Sequence, residues 1–185
     1  MSEQLSILER IRRKTGLLVG LVGIALLIFI LFIFTIVLLK KMSPKYWYLS
    51  ALAPAVIASL FINWDLWAVL PALLSIYWFD NKKYERSALA LGVSIATKFF
   101  PIVLLIPATI ILLKQKGGWL KYNAIALGSW IALNLPFALT TPTGWWRFYE
   151  LNINRGLDWG SIWQALDYLG IKSSGLNYLS TLSFI

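Results

Sequence analysis

The stretch GLLVGLVGIALLIFILFIFTIVLL fills Gly16–Leu39 and contains no charged residue. The hydrocarbon core of a bilayer is about 30 Å thick, which about 20 helical residues cross. A run this long exceeds the core of a signal peptide. It is succeeded by Lys40 and Lys41, not by a small-residue cleavage site. It reads as a retained membrane span. Working outward, further apolar runs occupy Tyr46–Ile62, Leu66–Phe79, Ala88–Thr97, Ile102–Leu113 and Trp119–Leu139, and another begins near Leu176. The chain is 59% apolar and only 14% charged, whereas soluble domains carry roughly 25% charge. The expected fold class is all-α, a polytopic transmembrane helical bundle with short helical hairpins. A basic N-terminal segment (1–15) would precede the helices (16–139). An extracytoplasmic loop (140–174) and the start of a truncated span (175–185) would come after them.

The net charge of +9 does not point to nucleic acid, because the cations cluster in short breaks between apolar runs. If every run crosses, sides alternate. One face then holds Lys40, Lys41, Lys45, Lys82, Lys83, Arg86, Lys114, Lys116 and Lys121, and the other only Lys98, Arg147, Arg155 and Lys172. The positive-inside rule makes the first face cytoplasmic. Ala88–Thr97 and Ile102–Leu113 are each too short to span. Charge favours a helical hairpin over one kinked helix, with KFFP (Lys98–Pro101) at its tip. The same alternation puts Arg10, Arg12, Arg13 and Lys14 outside, against the rule. With no Cys and no His, thiol and imidazole chemistry and Cys/His zinc sites are excluded, and no metal site is expected.

The outer face gathers the unusual polar residues. Asn63 and Asp65 sit in NWD, inside a tryptophan-rich apolar run. Either caps the helix opening at Leu66, and Asp65 also reads as a carboxylate in an external cavity. Lys98 reads as a snorkelling side chain or as a point charge for a phosphate, with Pro101 fixing the turn that aims it. The segment NINRGLDWGSIW interleaves Asn154, Arg155, Asp158, Trp159 and Ser161 with glycine and tryptophan. Arginine holds phosphate through a bidentate fork, amides and carboxylates bond sugar hydroxyls, and indole faces stack on sugar rings. Trp145 and Trp146 fit an interfacial belt.

Three blocks, NWDLWAVLPALLSIYWF, ALALGVSIATKFFPIVLLIP and LNLPFAL…GWWRFYELNINRGLDWGSIW, occur in this order. Together they cover roughly residues 46–170. In order and spacing they resemble the GT-C membrane glycosyltransferases that use polyprenyl-phosphate sugars, family 87 in particular, which includes bacterial mannosyltransferases. The resemblance implies a multi-pass protein of the plasma membrane with an extracytoplasmic site. Its reaction moves a hexose, mannose among the candidates, from a lipid-phosphate carrier to an acceptor hydroxyl. The partners it implies are membrane lipid, the lipid-linked donor and a glycan or glycolipid acceptor. No cofactor is expected beyond the donor, and a divalent metal is compatible with the reaction. The roles carried over are Asp65 as catalytic carboxylate, and Lys98 and Arg155 on the carrier phosphate. Asn63, Asn154, Asp158, Trp159 and Ser161 would face sugar or acceptor. The family places its catalytic acid in an external loop after the first span, and that loop would lie upstream of Gly16. The chain therefore reads as a fragment. The rival readings are a non-catalytic membrane scaffold and a transporter or flippase subunit built on the same bundle.

Overall fold

The computed structural model describes residues 2–59, 65–153 and 162–170. Among these the chain is all-helical, without a strand. The helices are α1 (Ser2–Met42), α2 (Trp47–Ala51), α3 (Pro54–Ser59), α4 (Leu66–Asp80), α5 (Tyr84–Thr97), α6 (Leu105–Lys114), α7 (Trp119–Thr140), α8 (Pro142–Ile153) and α9 (Ile162–Tyr168). A 3-10 turn, Phe100–Leu104, leads into α6. Two compact units divide inside α7, at Trp130/Ile131.

Two helices are long and apolar enough to cross a membrane: Lys14–Met42 of α1, and α7. Only 17% and 6% of their most apolar windows are buried, whereas the core helix of a water-soluble fold is mostly buried. Leu17, Leu18 and Val19 each expose 65–67% of their surface. An apolar face of this extent on a soluble monomer marks contact with a membrane or partner. The run Tyr46–Ile62, expected as one segment, is instead two short helices over its described residues. Pro54 explains the break: it lacks an N–H, and it biases Ala53 away from helical backbone. The expected loop 140–174 is helical over α8 and α9. The truncated span expected at 175–185 lies outside the described residues.

In the first unit α4 and α5 form an antiparallel hairpin. α4 closes with a Schellman cap: Lys83 N–H donates to Trp78 O at 2.8 Å and Lys82 N–H to Phe79 O at 2.9 Å. Lys82 takes the left-handed conformation this cap requires (φ 58°). α6 closes the same way, with Gly117 N–H donating to Leu112 O, Lys116 N–H to Leu113 O, and Lys116 at φ 49°. The segment 88–113 folds back on itself, because Tyr84 OH reaches Gln115 Oε1 at 3.1 Å. Its tip is KFFP, where Lys98 is extended (φ −147°, ψ 140°) and Pro101 is buried at the start of the 3-10 turn.

Small residues let these helices approach closely. A Cβ on Gly92 would lie 2.3 Å from Ala126 O and 2.6 Å from Ser129 Cβ, so α5 and α7 meet backbone to backbone there, as in small-residue membrane interfaces. Ser129 Oγ donates to Leu89 O at 3.1 Å across the same contact. The core around it joins Ala88, Leu91 and Ile95 of α5 to Ala108 and Leu112 of α6 and to Tyr122 and Ala126 of α7.

Gly92→Val should therefore force α5 from α7 and cost about 1–3 kcal/mol. The thermal midpoint of the detergent-solubilised protein should fall. Gly128→Ala, where an added Cβ meets nothing within 4 Å, should leave it nearly unchanged.

Candidate functional site

Polar groups inside the α4–α5 hairpin form a ladder from one end to the other. Ser87, with no exposure, donates to Ser75 O at 2.8 Å. With its one hydrogen used, it accepts from Ser75 Oγ (3.1 Å) and from Tyr122 OH (3.0 Å), which satisfies a hydroxyl completely. Two turns further along α5, buried Ser94 donates to Ala68 O at 2.7 Å. Pro71 has no N–H, so it leaves Trp67 O without its intrahelical donor. Thr97 Oγ1 lies 3.5 Å from that oxygen and donates more closely to Ser94 O, at 2.7 Å.

The last rung is ionic. Lys98 Nζ pairs with Asp65 Oδ1. Asp65 occupies the N-cap position of α4, yet its backbone is helical (φ −64°, ψ −28°) and its side chain caps nothing. This corrects the capping expectation for Asp65: the carboxylate turns to Lys98, leaving the backbone carbonyl to accept from Ala68 and Val69 N–H at 2.9 and 2.8 Å. Lys98, read from the sequence as a snorkelling side chain or a point charge for a phosphate, is held in this pair with Asp65. Asp65 Oδ1 is buried and, apart from the Lys98 ammonium, meets no hydrogen-bond donor among the described residues. The side chains remain 39% and 41% exposed, so the rest of the carboxylate stays within reach of a ligand. An ammonium carries three donors, which leaves Lys98 capacity for a further acceptor.

Thus two residues singled out separately from the sequence, 33 positions apart, stand together at one end of a hairpin. Asn63, Asn154, Arg155, Asp158, Trp159 and Ser161 lie outside the described residues. In the second unit α8 presents an aromatic cluster: the ring of Tyr149 lies 4.9 Å from that of Trp145 and 5.3 Å from that of Phe148. Trp145 Nε1 donates to Asn134 Oδ1 at 2.9 Å, and burial pushes the Tyr149 phenol above its ordinary pKa.

The opposite end of the first unit is basic. Lys41 and Met42, closing α1, line one cavity with Asp80 and Asn81, which end α4. Lys82, Lys83, Arg86 and Lys121 line another. Lys121 pairs with Glu85, and Asn123 joins α7 to α6 by donating to Thr109 Oγ1 at 2.9 Å. The polar ladder was not anticipated. A signal was present in the sequence: Ser87 and Ser94 lie seven residues apart, on one face of an otherwise apolar helix. Among the described residues no group of three acidic side chains could hold a metal ion. No protein-family model, curated protein or solved structure matches the chain.

The Glu85 carboxyl is held below its ordinary value of 4.5, first by the hydrogen bond from Lys121 and then by that residue's charge. A lowered folded-state pKa means the pairing contributes above pH 4.5 and is lost as pH falls through the lowered value. A carboxyl-carbon NMR titration should place the Glu85 midpoint below 4.5. In Lys121→Met it should move back up.

Proposed function

We propose that the chain is a multi-pass membrane glycosyltransferase, or the membrane part of one, in the plasma membrane. It would transfer a hexose from a polyprenyl-phosphate carrier to an acceptor hydroxyl on the extracytoplasmic face. The observation that supports this reading is the Asp65–Lys98 pair, a carboxylate and a cation converging at the end of the hairpin remote from the basic residues. Transfer by displacement needs both. The acceptor oxygen bonds to the anomeric carbon as the bond from that carbon to the phosphate oxygen breaks. The hydroxyl proton passes to the carboxylate, and the polyprenyl phosphate leaves with its charge stabilised by the cation. Asp65 supplies the first role and Lys98 the second. Arg155 adds a second phosphate ligand, and Asn63, Asn154, Asp158, Trp159 and Ser161 orient sugar or acceptor. The two long apolar helices and the gathering of cations at one end support the membrane placement and its orientation.

The same pair is also the last rung of a structural ladder, which favours a second reading as a non-catalytic membrane scaffold. A charge swap separates the two. In membranes carrying the chain, sugar transfer from radiolabelled polyprenyl-phosphate hexoses should fall at least 100-fold in Asp65→Asn, in the range lost when a proton-transfer group is removed. It should stay lost in the double variant Asp65→Lys/Lys98→Asp, which keeps the pair. Polyprenyl-phosphate binding, read in the same membranes by photocrosslinking, should weaken about tenfold in Lys98→Ala, as for loss of one charge-assisted contact. Full function in the swapped protein, or unchanged binding in Lys98→Ala, would leave the pair a purely structural clamp.

A further inference from the structure

At the basic end a cleft of about 550 Å³ opens between the start of α5, the end of α6 and the start of α7. Its rim carries Lys82, Lys83, Arg86 and Lys121, and its floor is apolar, made of Leu112, Ile125 and the ring of Tyr122. Of the four cations only Lys121 has a carboxylate partner among the described residues, Glu85. Asp80, the next acid along the chain, lines the neighbouring cavity instead. The two tyrosine hydroxyls at the cleft are committed elsewhere, Tyr84 to Gln115 and Tyr122 to Ser87. A surplus of positive charge above an apolar surface therefore faces the opening. The first turns of α5 and α7 both border it, and α5 has no side-chain cap, so partial positive charge from two helix ends is set against the partial negative charge at the end of α6.

A bias of lysine and arginine toward one end explains why this end is basic. It does not explain a cleft that holds three cations without carboxylate partners over a greasy floor. We infer that this cleft binds the phosphate-bearing headgroup of an anionic lipid, with the start of an acyl chain on Leu112 and Ile125. Arg86 supplies a bidentate fork for phosphate oxygens, and Lys82 and Lys83 supply point charges. Basic pockets between membrane helices on the cytoplasmic side suit such headgroups. The site rests on the membrane placement proposed above and not on sugar transfer, since it lies at the end opposite Asp65 and Lys98.

The test is lipid retention. The chain is assembled into nanodiscs of phosphatidylcholine with phosphatidylglycerol, extracted, and its bound lipid identified by native mass spectrometry. Phosphatidylglycerol should be enriched on the protein over its share of the disc. Lys83→Gln/Arg86→Gln should reduce that enrichment roughly 25-fold, at about a factor of five for each cation near the surface. Arg86→Lys, which keeps the charge and loses the fork, should reduce it less than the double variant does. Lys114→Gln/Lys116→Gln removes the same charge from the same end but outside the cleft, and should keep the enrichment. Equal loss in that control would overturn the site in favour of diffuse surface charge. Displacement of the lipid by inorganic phosphate alone would overturn the lipid assignment and leave a free-phosphate site. Circular dichroism of each variant distinguishes lost binding from lost fold. A chain that fails to enter the disc would reject the membrane placement itself.

Discussion

The hydroxyl of Ser87 stands with no solvent exposure where α4, α5 and α7 meet, and it must find its partners there. A buried hydroxyl without them costs about 1–3 kcal/mol, and in hydrocarbon there is no water to supply the loss. Ser87 meets that demand by giving its hydrogen to Ser75 O and accepting from Ser75 and Tyr122. This fixes three things at once. It sets the antiparallel register of α4 and α5, it places the first turn of α7 beside the start of α5, and it carries that register along the hairpin to Ser94 and Ala68 O. Once the register is set, Asp65 and Lys98 must come together at the far end. Gly92 is the complementary condition on the other side of α5: with no Cβ between α5 and Ala126, α7 closes far enough for Ser129 Oγ to reach Leu89 O.

The two ends of the first unit arise from different chemistry. At the basic end the chain reverses twice through Schellman caps whose left-handed residue is lysine, Lys82 and Lys116, where glycine would cost least. Those caps put charged side chains at the point of reversal, beside Lys83, Arg86 and Lys121. At the other end the reversal between α5 and α6 runs through an extended Lys98 and a 3-10 turn opened by Pro101. That turn leaves Phe99 and Phe100 exposed and one cation, which finds a carboxylate. One end gathers cations in excess, and the other neutralises its cation.

How much of this is written in the sequence depends on the kind of signal. The long helices are legible because an apolar run of 20 or more residues has few other uses. The fold-back at KFFP and the position of the basic end are legible because charge and proline mark them. The break at Pro54 was readable too, and was hidden only by the apolar residues on both sides. The pairing of Asp65 with Lys98 was not readable: each residue carries a local signal, but the register that joins them is set by Ser75, Ser87 and Tyr122. Those residues look ordinary one at a time. The helical character of 142–153 was masked by the polar and aromatic mixture that suggested a loop.

Helix length adds a last constraint. The 15 residues of α4 extend only about 22 Å at 1.5 Å per residue, against a hydrocarbon core of about 30 Å. In the membrane placement proposed above, with the basic end held among cytoplasmic headgroups, the hairpin stops short of the opposite surface. Asp65 and Lys98 then sit in a depression, wetted or locally thinned. A lone charge at that depth costs several kcal/mol, and a pair offsets much of it, so the resting state is the ion pair. In the reading proposed above, the remaining donors of the ammonium would let an incoming phosphate bind Lys98 beside the Asp65 carboxylate. On that reading the phosphate would share the ammonium with Asp65, loosening the ion pair and leaving the carboxylate freer to accept the proton of the acceptor hydroxyl.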